Sequence, residues 1–339
     1  MKVKYIEFPE KGKVEVKTEE ISTDKLQSME VIVENEATLC SAGTELAGLH
    51  DTESKATYPM RPGYAAIGRI KMKGEGVDDF EVGERVFYAG NHASAERFLH
   101  GQDHQWGRLY KVPEGIASED ATFVCLAEIA MVSSLITPVN VGDRVAVLGL
   151  GQVGNLAGQF YRNMGCHVIG VDPVRHRCDL ALECGYDEVV DVAPDKQVEA
   201  LKELTGGEGV DVSVEATGLS QVAITAAQAT RLMGQIALLG SPRAPYETNI
   251  SAFLRQVHLQ GQVVRGAHMW RFPAMDSLRS QKTTIPWAYK TIFELMLEGK
   301  LIYQPLKSHV LSPDKAPEVY DGLKNKPEEY IGVVFDWTE

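Results

Sequence analysis

The stretch Val141 to Asp172, VGDRVAVLGLGQVGNLAGQFYRNMGCHVIGVD, restricts this chain more than any other. Val145 to Leu148 is a short apolar run of strand length. It enters Gly149-Leu150-Gly151-Gln152-Val153-Gly154, a helical span follows to Met164, and Val168 to Val171 makes a second apolar strand closed by Asp172. Each glycine has a physical task. Gly149 makes the tight turn, Gly151 lets a pyrophosphate approach the backbone, and Gly154 lets the helix sit close to the strand. Backbone N–H groups at the helix start then receive the anion. With an acid 23 residues after Gly149, the stretch reads as a dinucleotide-binding unit.

The segments before and after it have different periods. Tyr5–Phe8, Lys13–Lys17 and Met29–Glu34 alternate polar and apolar residues, as sheet with one wet face does. Gly63–Met72, Val82–Phe87 and Leu109–Gly115 continue the pattern between glycine turns, so the first part is a small barrel or sandwich. A helix is expected from Ser118, with Ser118 or Asp120 as cap, through Ile136. From Val141 strands and helices alternate. Strands are expected at Asp187–Asp191, Gly209–Glu215, Gln235–Leu239 and Val257–Val264, with helices at Val174–Glu183, Val198–Leu204 and Gln221–Arg231. That is a doubly wound parallel sheet. Trp287–Glu298 and Asp314–Leu323 read as helices and Tyr330–Trp337 as a strand, which returns the tail to the first domain. The expected domains are 1–139 and 273–339 for the discontinuous β-rich part and 140–272 for the dinucleotide-binding part.

Composition narrows the partners. A formal net charge of −13 disfavours a nucleic-acid backbone, and no apolar stretch approaches the 18 residues of a membrane span. The five cysteines, Cys40, Cys125, Cys166, Cys178 and Cys184, form no CxxC pair and read as buried thiols of a reducing compartment. The amino terminus carries no signal pattern, so a cytoplasmic location is the expectation.

Several motifs in order resemble the medium-chain dehydrogenase/reductase family over essentially the whole chain. They are Cys40-Ser41-Ala42-Gly43-Thr44-Glu45-Leu46, Arg61 to Gly68 (RPGYAAIG), Val141 to Val145, the glycine turn, and Glu215-Ala216-Thr217-Gly218. The resemblance implies a Rossmann domain joined to a barrel-like, GroES-like catalytic domain, catalysis in the cleft between them, and a homodimer or homotetramer joined through the nucleotide-binding sheet. It is nearest to the polyol (sorbitol-type) branch. Zinc members of the family place a cysteine where this chain has Ala42, and Gly-His-Glu where it has Gly63-Tyr64-Ala65. The third ligand position falls near Cys125 to Glu128 without a unique register, and the lobe that in zinc members holds four closely spaced cysteines has none between Phe87 and Val112. A catalytic zinc needs three donors and an open position, so the expectation is an enzyme without metal.

Without zinc, side chains must polarise the substrate oxygen and move its proton. The resemblance puts Thr44 at a proton-relay position and Glu45 beside the former metal site, while Tyr64 brings a phenol to a ligand position. Glu45 is the expected base and Tyr64 the orienting group, both facing the cleft, with His50 and His92 as further candidates. Each also has a structural reading: a turn hydroxyl, an ion pair with Arg61, core packing. His268 and Trp270 follow the sixth strand as candidate substrate contacts. Cofactor candidates are Gly149, Gly151, Gln152, Val153, Gly154, Asp172, Arg177, Thr217 and Gly240. Asp172 favours the ribose hydroxyls of NAD, while Arg175 and Arg177 are the residues that could instead neutralise a 2′-phosphate. The expected reaction is NAD-dependent oxidation of a secondary alcohol on a sugar, cyclitol or polyol. The alternatives are an enone or quinone reductase, a dehydrogenase of a large hydroxyethyl-bearing ring, or a non-catalytic nucleotide-binding protein.

Overall fold

The computed structural model describes residues 1–52, 56–101, 107–242, 245–269, 273 and 283–338. In chain order its elements are β1 (Lys2–Glu7), β2 (Glu15–Glu20), β3 (Glu30–Leu39), α1 (Ala42–His50), β4 (Ala66–Lys73), β5 (Arg85–Tyr88), β6 (Ala95–Leu99), β7 (Tyr110–Lys111), α2 (Ser118–Ala121) and α3 (Val124–Ile136). The nucleotide-type repeat follows as β8 (Arg144–Leu148), α4 (Gln152–Asn163), β9 (His167–Val171), α5 (Arg175–Glu183), β10 (Glu188–Val190), α6 (Gln197–Leu204), β11 (Val210–Glu215), α7 (Ser220–Ala229), β12 (Thr230–Leu238), α8 (Ile250–Leu259) and β13 (Val263–Gly266). The chain closes with α9 (Ile285–Leu297), β14 (Lys307–Leu311), α10 (Ala316–Asn325) and β15 (Gly332–Asp336).

Two compact units result. One comprises Met1–Cys125, Phe272–Glu298 and Leu306–Glu339, so it draws on both chain ends. The other comprises Leu126–Arg271 and Gly299–Pro305. The second unit holds a six-stranded sheet of order β10-β9-β8-β11-β12-β13, with every pairing parallel. Numbered within the unit this is 3-2-1-4-5-6, the doubly wound order, which opens its switch point between β8 and β11. Helices cover both faces of such a sheet, and its strands are accordingly apolar throughout: Val145, Ala146, Val147, Val168, Ile169, Val212 and Val214 are all fully buried.

The first unit is a mixed sheet of order β14-β15-β3-β4-β5-β7, with β6 also pairing β3 and β1 pairing β2. The long β3 is its hub. β15 pairs antiparallel with the last residues of β3, Val334 opposite Leu39, which brings the C-terminal tail against the segment leading into α1. Under that joint Phe8, Cys40, Tyr320, Val333, Phe335 and Trp337 form one apolar cluster. Both chain ends are therefore needed to complete a single core.

Three local expectations are corrected. The helix expected from Ser118 to Ile136 is broken into α2 and α3, and Ser118 does not cap it: its hydroxyl turns to Glu36 instead. The run Val257–Val264 is not one strand. Asn249 caps α8 by accepting the Ser251 N–H, so Val257 and Leu259 are helical and only Val263 onward is strand. A short apolar run does not carry enough period to separate the two states. The helix α1 over the Cys40–Leu46 motif was not expected.

Candidate active site

Local backbone geometry accounts for the three glycines of the turn. Gly149 has φ +96°, and a Cβ there would lie 2.6 Å from Thr217 Cγ2. At Gly154 a Cβ would collide with the Gly149 carbonyl oxygen, whereas at Gly151 it would meet nothing within 4 Å. The turn is thus tight at both ends and open in the middle, where a pyrophosphate would sit. Gly151 is the N-cap of α4, and no side chain caps that helix; first-turn amides lack acceptors inside a helix and suit an anion. Gln152 and Val153 form the first turn.

Asp172 stands at the end of β9 and is 3% exposed. Its Oδ2 accepts the Leu150 N–H at 2.9 Å and its Oδ1 the Val174 N–H at 2.9 Å, which ties the glycine turn to the start of α5. A carboxylate has further lone pairs for ribose hydroxyls. Arg177 Nη1 lies 3.5 Å from Asp172, and Arg175 is engaged by Asp179 (2.8 Å) and Asp191 (2.9 Å). Across the switch point Glu215 organises the neighbouring turn. It accepts the Thr217 N–H at 2.7 Å, the Gly218 N–H at 3.1 Å and the Thr217 hydroxyl. Gly240 packs so closely on Gly218 that a side chain has no room there.

In the other unit the side chains of the first motif sit at the start of α1. Ser41 is its N-cap, yet the Ser41 hydroxyl caps no helix amide; it pairs with the Tyr64 hydroxyl. Tyr64 Oη also lies 3.4 Å from Thr44 Oγ1, and Thr44 is exposed. Three hydroxyls, Ser41, Thr44 and Tyr64, therefore converge. Burial, with the nearby Cys125, pushes the Tyr64 phenol well above its usual range, so it stays protonated and can donate. Cys125 Sγ donates to the Tyr64 carbonyl at 3.4 Å.

Glu45 and His92 occupy different places from those expected. Glu45 is 2% exposed and does not face solvent. Its Oε1 accepts the Ser41 N–H at 2.7 Å, and its Oε2 accepts the Tyr320 hydroxyl at 2.5 Å and lies 3.1 Å from His92 Nε2. Burial raises its pKa, but His92, Tyr320 and the Ser41 amide outweigh burial and leave the carboxyl below its ordinary value. The alternative Glu45–Arg61 pair is not formed; Arg61 makes a two-pronged bond to Glu19. His92 is fully buried, with Nδ1 2.7 Å from Thr38 Oγ1. His50 ends α1, about 9 Å along the helix axis from Thr44. It does not join the hydroxyl set; burial, with Lys324 and Lys11, lowers its pKa. His268 is exposed just after β13, and Trp270 lies outside the described residues. Sequence reasoning missed Ser41 and Tyr320. Ser41 was legible in the motif, while nothing local marked Tyr320, 275 residues from its partner.

Few donors for a zinc ion stand at the first motif. Ala42 offers none and Tyr64 a protonated phenol. The three buried donors Cys40, Glu45 and His92 lie within 4.8 Å of one another. The Glu45 and His92 atoms in that set are already paired with protein groups, and all three residues are at most 2% exposed. A catalytic zinc needs a position open to substrate, which this closed set does not provide.

The fold, with one doubly wound unit and one β-rich unit made from both chain ends, is shared with solved dehydrogenases. Residues 152–280 match the family described as zinc-binding dehydrogenase. The chain is similar to D-guloside 3-dehydrogenase of Escherichia coli (strain K12), 29% identical over 277 residues that cover 80% of this chain and 77% of the relative. Among solved structures, galactitol-1-phosphate dehydrogenase from Escherichia coli superposes with a TM-score of 0.79 at 19% identity, covering 98% of this chain and 99% of the other. A putative zinc-binding dehydrogenase from Sinorhizobium meliloti 1021, bound to NADP, gives a TM-score of 0.80 at 19% identity and 99% coverage of both chains. Among the described residues no helix is long and apolar enough to cross a membrane.

Proposed function

We propose that the protein is a medium-chain dehydrogenase that oxidises a secondary alcohol on a polyhydroxylated small molecule, with NAD as hydride acceptor and without zinc. The observation that carries this reading is the convergence of the Ser41, Thr44 and Tyr64 hydroxyls, with Tyr64 at the position where the family resemblance puts a ligand histidine. A relative named for a guloside supports a sugar-like substrate. Bound NAD supplies the two-electron acceptor. The chain's own groups do the rest: Tyr64 donates to the substrate oxygen and orients it, and exposed Thr44 passes the hydroxyl proton towards solvent. The glycine turn, Thr217 and Gly240 hold the nucleotide, and His268 contributes to the substrate side.

Asp172 supports NAD over NADP, because an added 2′-phosphate would meet its carboxylate while Arg175 is held by Asp179 and Asp191. Turnover of cyclitols, sugars, sugar alcohols, simple alcohols and enones with each cofactor tests the reading. Activity is expected on a cyclitol, sugar or polyol with NAD, at a kcat/KM above that for NADP. Turnover confined to enones with NADPH would replace it by the reductase reading.

We infer also that the protein assembles as a homodimer or homotetramer through β13. This strand is the outer edge of the six-stranded sheet, and exposed Val263, Leu232, Met233 and Leu259 lie on or beside that edge. An apolar free edge invites pairing, and two copies related by a twofold axis extend one sheet. Sedimentation equilibrium is expected to give at least twice the 37.3 kDa chain mass, with Val263→Lys shifting the protein towards monomer. A wild-type monomer at micromolar concentration would refute this.

A further inference from the structure

Ser41 departs from the usual behaviour of an N-cap serine, whose hydroxyl satisfies an amide of the first turn. What leaves it available to Tyr64 lies one layer deeper. Glu45, in the first turn of α1, reaches back to the Ser41 N–H, and that same carboxylate is held from behind by Tyr320 of α10 and His92. The chain of contacts runs on. Trp337 Nε1–H donates to Thr38 Oγ1 at 2.9 Å, and Thr38 Oγ1 is 2.7 Å from His92 Nδ1. All of these side chains are buried.

Donor counting gives one arrangement in which a neutral His92 satisfies every member. An ionised carboxylate only accepts, so His92 Nε2 carries a proton for Glu45. The Thr38 oxygen already receives the indole N–H, and among the described residues its own proton has His92 Nδ1 as its acceptor. With that arrangement each donor has one acceptor, from Trp337 through Thr38 and His92 to Glu45, and Tyr320 and the Ser41 amide complete the carboxylate. A fully satisfied buried network of this kind is rigid, and removing one member leaves another buried polar group unpaired.

We propose that Tyr320 and His92, acting through Glu45, are positioning residues that hold Ser41, and with it Thr44 and Tyr64, in the geometry used for catalysis. The proposal rests on the reading of those hydroxyls given above. It assigns Glu45 a fixed structural anion in place of a base, since the residue is 2% exposed and both carboxylate oxygens are engaged by protein groups. The C-terminal segment, through Tyr320 and Trp337, then sets the geometry of a motif near the other end of the chain.

Two measurements test it. Tyr320→Phe keeps the ring and its edge contact with Phe8, at 5.0 Å between centroids, and removes only the hydroxyl. The expected result is a kcat lowered about 10-fold or more, with the KM for NAD within about 2-fold and an unchanged circular dichroism spectrum. An unchanged kcat would overturn the proposal. Independently of turnover, nitrogen-15 histidine spectra of the wild-type protein should show His92 as the Nε2–H tautomer, its signal moving in Tyr320→Phe. His92→Asn assigns that signal, and if this variant fails to fold, the shift in Tyr320→Phe does so. An Nδ1–H tautomer or a doubly protonated ring would overturn the network. If the wild-type protein oxidises no alcohol, the functional reading fails by itself, and the spectra still decide the network.

Discussion

Glu128→Gln makes the protein more stable, and increasingly so as the pH rises. Glu128 lies in α3, fully buried, and among the described residues neither carboxylate oxygen has a hydrogen-bond partner. Burial pushes its pKa from 4.5 up to about 8. The sign follows from linkage. The unfolded chain releases this proton above pH 4.5 while the folded chain keeps it until about pH 8, so the unfolded state gains from every step in pH between the two. Stability is intact below the unfolded pKa and is lost as pH rises through the folded one. A glutamine has the shape of the neutral acid and no ionisation to lose. The gap between variant and wild type is expected to be small near pH 4.5, about 3 kcal/mol at pH 7, and near its limit of about 5 kcal/mol above pH 8. Denaturant unfolding at pH 5, 7 and 8.5 measures it. Parallel pH profiles for the two proteins would show that Glu128 ionises in the folded state.

The second large effect is on turnover. Tyr64→Phe should lower kcat by roughly 10²-fold while leaving NAD affinity nearly unchanged. The phenol is the one titratable member of the hydroxyl set, burial keeps it protonated, and it bonds both Ser41 and Thr44. Removing it takes away the donor to the substrate oxygen and uncouples the other two hydroxyls. Stopped-flow single turnovers with a cyclitol or sugar, together with NAD titration, separate the two parameters. A Tyr64→Phe enzyme with undiminished kcat would mean that the phenol only packs.

The nucleotide half was legible because its constraints are local. Gly149, Gly151 and Gly154 each answer to a steric condition within a single turn, and the parallel strands are apolar on both faces, so their sequence carries the fold directly. The return of the tail was also readable, from the apolar run at Tyr330 to Trp337. What could not be read was which side chains that return brings together. Glu45 read as a cleft-facing base from its motif, because the groups that enclose it, Tyr320 and His92, come from other parts of the chain. The same holds for Thr38, whose two partners, His92 and Trp337, are 54 and 299 residues away. Helix α1 was missed for a local reason: its N-cap hydroxyl is used elsewhere, and two of its first five residues are small and flexible or β-branched, Gly43 and Thr44.

The central claim is alcohol oxidation by a hydroxyl set without a metal. Its most direct test is elemental analysis of the purified protein, paired with NAD-dependent turnover before and after dialysis against a strong chelator. The account predicts far less than one zinc per chain and the same turnover after chelation. About one zinc per chain, with activity lost on its removal and restored by zinc alone, would contradict it and direct attention to Cys40, Glu45, His92, Cys125 and Glu128 as ligands.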